Sequence, residues 1–283
     1  MLSVPPFRVA TPDERAYYEG TLYPLQDRIL AVAATYADAL VLTGGTALAR
    51  LYLHHRYSDD IDLFTAHGHA GGLGRDFANE LQSAGFTVEP VTESVAFMRM
   101  WVGDGAHRIS VDVAPDSRRL EAPAPSALGG VYAHGLRDIA ANKIGAFENR
   151  AEVKDAVDLY YLTQRFSWPE LFADAEIKRV PIAYEDLRHF LQTPLQGSAL
   201  LIEPVDEDDF RRFVAALRDE VAQEIKKKVA ESRQRLDEIA AELLWDTPTE
   251  LRTINERTRD VLERRAAQLP LPQRIALLEA LAA

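Results

Sequence analysis

Two neighbouring stretches decide how this chain reads: Leu42-Thr43-Gly44-Gly45-Thr46-Ala47-Leu48-Ala49, and Arg56-Tyr57-Ser58-Asp59-Asp60-Ile61-Asp62-Leu63-Phe64. In the first, the apolar run Ala39 to Thr43 predicts a short buried strand, and Gly44-Gly45 turns it into a helix over about Thr46 to Leu53. Glycines between a strand and a helix let the backbone approach a ligand closely, with helix N–H groups aimed at it. That is a phosphate cradle without the lysine and spacing of a Walker loop. In the second stretch, alternation along a predicted strand from Asp60 to Thr65 puts Asp60 and Asp62 on one face and Ile61 and Leu63 on the core face. Asp59 is expected to point the opposite way. Two carboxylates about 7 Å apart on a strand face can share hard cations. Magnesium suits them, because it takes one or two carboxylates and completes its shell with substrate phosphates. Alone, an acid–apolar–acid triplet is more often a half-exposed strand with solvated charges. The nearby Gly44-Gly45 is what favours a site.

A third carboxylate follows in His107-Arg108-Ile109-Ser110-Val111-Asp112-Val113, where Ile109, Val111 and Val113 share one face and Asp112 takes the other. If this strand pairs beside Asp60 to Phe64, three carboxylates converge, the arrangement used in two-metal catalysis.

Working outward, Glu14 to Ala37 has helical spacing, a glycine-rich turn (Gly68, Gly71, Gly72, Gly74) precedes a helix over about Arg75 to Ala84, and strands are predicted at Phe86 to Val91 and Val95 to Val102. Pro115 to Gly130 reads as a linker. Helices are expected at Leu136 to Asn149, Ala151 to Gln164, Tyr184 to Leu191, Asp206 to Leu244 and Pro248 to Gln268. The fold class is therefore α+β: a small mixed sheet flanked by helices over residues 1–120, then a helical domain over 121–283 whose first part, 136–165, completes the site.

The chain has 283 residues, 47% hydrophobic and 27% charged, which predicts a sizeable core and excludes disorder. The absence of cysteine excludes a disulfide scaffold, thiolate metal sites and a cysteine nucleophile. No apolar h-region opens the sequence, and the most apolar window, Ile29 to Leu42, is too short and polar to span a bilayer, so a soluble cytoplasmic protein is expected, with no membrane partner. The net charge of −12 makes a poor general binder of nucleic acid. A polyanionic acceptor would need local arginines, with Arg56 and Arg99 as candidates. Arg99 alternates with Phe97 and Trp101, which would either stack a base or belong to the core. His54-His55-Arg56 reads equally as a phosphate contact or a polar helix end.

Gly-Gly-Thr-Ala-Leu followed by Arg-x-Ser-x-Asp-Ile-Asp-Leu-Phe resembles the AbiEii/AbiGii toxin family of nucleotidyltransferases, MenT-like proteins of the DNA polymerase beta-like superfamily. A second block resembles the family's downstream motifs: Asp138-Ile139-x-x-Asn142-Lys143-Ile144, then Arg150 and Lys154-Asp155-x-x-Asp158-Leu159-Tyr160-x-Leu162. The resemblance covers about residues 40–165. It implies transfer of a nucleotide from an NTP to an acceptor with release of pyrophosphate, using magnesium or manganese. In MenT-type members the acceptor is the tRNA 3′ end, and a cognate antitoxin often accompanies the toxin. Carried over, the resemblance puts Gly44 and Gly45, with Thr46 and Ser58 in the same motifs, at the phosphates. It makes Asp60, Asp62 and Asp112 the metal ligands, Lys143 the lysine on the triphosphate and Asp158 the helical catalytic aspartate. A phosphate on Ser58 would add about two negative charges beside Asp60 and disfavour NTP binding. Other acceptors, a small molecule or a protein hydroxyl, use the same residues, and a non-catalytic binding module is the reading from another class.

Overall fold

Alternation and glycine turns generate most of the elements seen in the computed structural model, which describes residues 7–66, 69–116, 118–150, 152–180 and 195–244. In chain order they are β1 (Phe7–Val9), α1 (Pro12–Tyr17), α2 (Tyr23–Ala33), β2 (Val41–Thr43), α3 (Gly44–Ala47), β3 (Asp60–Thr65), α4 (Ala70–Ser83), β4 (Thr87–Glu93), β5 (Met98–Gly103), β6 (Arg108–Pro115), β7 (Ala124–Pro125) and β8 (Tyr132–Ala133). There follow α5 (Leu136–Arg150), α6 (Val153–Leu162), α7 (Trp168–Lys178), β9 (Ala199–Leu201) and α8 (Glu207–Leu244). Met1–Ile182 with Pro194–Phe210 forms one compact unit, and Ala183–Thr193 with Arg211–Ala283 another. The expected helices at Tyr184 to Leu191 and Pro248 to Gln268 lie outside the described residues. The fold class is the α+β one expected, with a mixed sheet, flanking helices and a C-terminal helix.

The main sheet has the order β4-β5-β6-β3-β2-β8-β7, with β3 parallel to β6, β2 parallel to β8 and the other neighbours antiparallel. Register sets the site. One row across the sheet reads Thr43, Asp62, Asp112, Arg99, and the next reads Asp60, Ser110, Trp101. The intervening residues Ile61, Leu63, Met100, Val102, Val111 and Val113 are buried. They lie on the face covered by α4, whose Phe77 and Leu81 are fully buried with them. Each such side chain contributes on the order of 1.5–3 kcal/mol.

Several local expectations are corrected. Gly71, Gly72 and Gly74 belong to α4 and not to a turn. Gly71 lies against the Ser94 backbone carbonyl and Gly74 against Met98, so the helix tolerates these glycines because it packs too closely for a Cβ. The supposed linker supplies β7, an edge of the sheet, and leads into β8 beside it. The single helix expected over Glu14 to Ala37 is α1, a π-helical turn (Tyr18–Leu22), α2 and a 3-10 stretch (Ala34–Ala39) kinked at Ala37, φ 50°. In the second unit the described residues all belong to α8. There Lys227 pairs with Glu224 and Glu231, and Lys228 with Glu231, along one face of the helix. Among the described residues no helix is long and apolar enough to cross a membrane.

Candidate active site

The turn from β2 into α3 is shaped by what its glycines touch. Gly44 has φ +67°, a conformation that disfavours side chains, and a Cβ there would collide with the Asp62 carboxylate. A Cβ on Gly45 would stand 2.6 Å from Arg56 Nη2 and 3.0 Å from Ser58 Oγ. Thr46 is buried, and its hydroxyl donates to the Asp60 carbonyl at 2.5 Å. Ser58 is also buried and donates to Asp60 Oδ1 at 3.2 Å. Both hydroxyls are thus engaged with Asp60, one with its carbonyl and one with its carboxylate, and help to position β3. Gln26 adds bonds from Nε2 to the Ser58 and Asp60 carbonyls at 3.1 and 3.2 Å.

Asp60 and Asp62 share the half-buried face of β3, as alternation predicts. Asp112 stands opposite Asp62 in register, but Arg99, opposite it on β5, donates to both its oxygens at 2.8 and 2.6 Å. Among the described residues no three histidine or carboxylate side chains are grouped closely enough to hold a metal ion. Asp60 and Asp62, completed by substrate phosphates, have the donor chemistry that magnesium takes, and Asp112 lies in register beside Asp62 with Arg99 as its partner. Lys154 Nζ lies 3.9 Å from Asp60 Oδ2, not beside Asp158 as its i, i+4 spacing suggests. Asp59 precedes β3 and is among the residues lining an open cleft with Asp60.

Asp158 is fully buried beneath this face. Arg56 donates to it through Nε and Nη2 at 2.6 and 2.8 Å, His55 Nε2 is 2.7 Å away, and Lys143 Nζ forms an ion pair at 2.9 Å. Lys143 also donates to Asp155 at 3.1 Å. Burial pushes the Asp158 carboxyl pKa up, but the Arg56 and Lys143 charges, with the Arg56 and His55 bonds, outweigh it and hold the group well below the usual carboxylate range. Burial lowers the His55 pKa against the pull of Asp158. Arg56 is only 3% exposed, so the expected acceptor contact is corrected: it is a strut between the chain entering β3 and α6. Arg99 remains on the open face, 5.7 Å from the Phe97 ring centre.

Thr43, Gly44, Asp62, Asn142 and Lys143 line one cleft of about 170 Å³ between the sheet and α5. Two of its features escape sequence reading. Asn142 Nδ2 is buried with no hydrogen-bond partner among the described residues; its place next to Lys143 in the second motif block was the available signal. Behind Thr43 runs a chain: its hydroxyl is 3.1 Å from His134 Nδ1, and His134 Nε2 is 2.9 Å from Asp116. Burial would raise the Asp116 pKa, but His134, Arg119 and Lys178 hold it down at about 2. Nothing local in the sequence joins these three residues.

A mixed sheet carrying a glycine turn and strand carboxylates, faced by a lysine-bearing helix, defines the nucleotidyltransferase class. The sequence profile described as "Nucleotidyl transferase AbiEii toxin, Type IV TA system" matches residues 28–242, and the chain belongs to that family. Among solved structures the chain is similar to MenT4, a nucleotidyltransferase toxin from Mycobacterium tuberculosis H37Rv, with 18% identity, 93% of this chain and 94% of that one covered, and a TM-score of 0.50. It is also similar to JHP933 from Helicobacter pylori, with 16% identity, 79% and 97% covered, and a TM-score of 0.49. The likeness to MenT4 bears on the fold. No curated protein matches the chain.

Proposed function

We propose that this nucleotidyltransferase moves a nucleotide from an NTP onto an RNA acceptor such as a tRNA 3′ end, as the toxin of a cytoplasmic toxin–antitoxin pair. The observation that carries the reading is the cleft where Gly44, Asp62 and Lys143 meet, together with the unsatisfied amide of Asn142. In the reaction the acceptor hydroxyl oxygen bonds to the α-phosphorus while the bond from that phosphorus to the pyrophosphate oxygen breaks. Pyrophosphate leaves and the hydroxyl proton passes to solvent. Asp60 and Asp62 would hold magnesium, which when bound neutralises phosphate charge and polarises the phosphorus centre. Lys143 and Asn142 bind the departing phosphates, and the Gly44 turn lets them approach the backbone. Asp158 is a positioning residue: with Asp155 it fixes the Lys143 ammonium at the cleft wall. Lys154 balances the charge of Asp60 until phosphate and cation arrive.

The test is transfer from an α-labelled NTP into total cellular RNA by purified protein, with Asp60→Ala as control. Label that is lost on ribonuclease treatment and absent with the variant supports the reading. Label resistant to ribonuclease, found on protein or a small molecule, contradicts the RNA acceptor. The net charge of −12 makes a small cationic acceptor the second reading.

A further inference from the structure

The cleft with Lys143 lies on the Asp62 side of the carboxylate pair. On the Asp60 side, toward β6 and β5, opens a second cleft of about 310 Å³, lined by Tyr17, Tyr18, Asp59, Asp60, Trp101 and Arg108. In-line displacement sets the leaving group and the attacking oxygen on opposite sides of the phosphorus. With pyrophosphate departing toward Lys143, the attacking hydroxyl enters from this second cleft. Its walls are aromatic and open: Tyr17 is 43% and Trp101 36% exposed. Alternation in β5 sends Met98, Met100 and Val102 into the core and so places Trp101 on the opposite, open face. The Arg108 guanidinium lies 4.9 Å from the Trp101 ring centre, and its ion pair with Glu89, at 3.2 Å, is between two exposed side chains that a phosphate can readily replace.

We propose that this cleft is the acceptor subsite, stacking the terminal base of single-stranded RNA on Trp101 and Tyr17, with Arg108 meeting the neighbouring backbone phosphate. The proposal rests on the RNA reading above and is tested apart from it. Binding of a short single-stranded oligoribonucleotide with a free 3′ hydroxyl, read by quenching of wild-type tryptophan fluorescence against Trp101→Phe, requires no transfer. The part of the quench due to Trp101 should vanish in that variant. In transfer assays Trp101→Ala should raise KM for RNA about tenfold and leave KM for NTP within about twofold, whereas Trp101→Phe, which still stacks, should stay near wild type. A rise in KM for NTP instead would mean that the cleft holds the donor's base, and would overturn the proposal, as would unchanged KM values together with no Trp101 quench. If wild-type protein labels no RNA, the acceptor reading itself fails. The subsite then stands or falls on the quench alone.

Discussion

Asp158 stays ionised with no solvent contact because three basic side chains surround it, and that arrangement makes its partners sensitive to replacement. Removing one member of a buried pair leaves a charge without compensation, so Arg56→Ala should destabilise the fold by about 3–5 kcal/mol in urea unfolding. A loss under about 1 kcal/mol would show that the strut is dispensable. Asn142 should behave in the opposite way. Its buried amide donor has no partner among the described residues, so Asn142→Ala should leave the melting temperature unchanged or raised while increasing KM for NTP. A destabilised variant with unaltered KM would make the residue structural. Acid sensitivity follows from Asp116. Its folded pKa, about 2, lies below the unfolded value, so the unfolded chain binds more protons between the two. The stability it confers is complete above about pH 4 and is lost as pH falls toward about 2, an effect on the order of 2 kcal/mol. Acid titration of Asp116→Asn against wild type should remove that segment of the curve.

At the scale of elements, β3, β5, β6 and α5 were legible because period-2 alternation and helical spacing are local. Convergence of the strand carboxylates requires β3 to pair with β6, and the register does align Asp62 with Asp112. What stayed hidden depends on partners far along the chain: Arg56 with Asp158, Thr43 with His134, Arg99 with Asp112. Strands of two residues such as β7 and β8 are too short to show a period. Gly71 and Gly74 of α4 misled because the helix uses them for close packing, which only the tertiary neighbours reveal. Glycine substitutions separate these uses. Gly44→Ala introduces both a strained φ and a collision with Asp62, and should cost about 1–3 kcal/mol and abolish transfer. Gly72→Ala meets only ordinary contacts, His69 Cβ at 3.7 Å and Arg75 Nη2 at 3.9 Å, and should stabilise α4 by about 0.5–1 kcal/mol. Thermal unfolding of the two variants should move in opposite directions, and the same sign for both would refute the distinction.

Across the whole molecule, the charge of −12 is spread through the chain, so long-range attraction does not bring a polyanion to it. Catalysis then depends on what the small face of β3 neutralises locally, with Lys143 and Lys154 beside the two carboxylates. In the proposed reaction this face cleaves an NTP between its α- and β-phosphates. The most direct measurement runs α-labelled and γ-labelled NTP in parallel with wild type and Asp62→Asn. The account predicts α-label on the acceptor, γ-label in pyrophosphate, and neither with the variant. Appearance of γ-label on the acceptor, or transfer by Asp62→Asn at the wild-type rate, would contradict it.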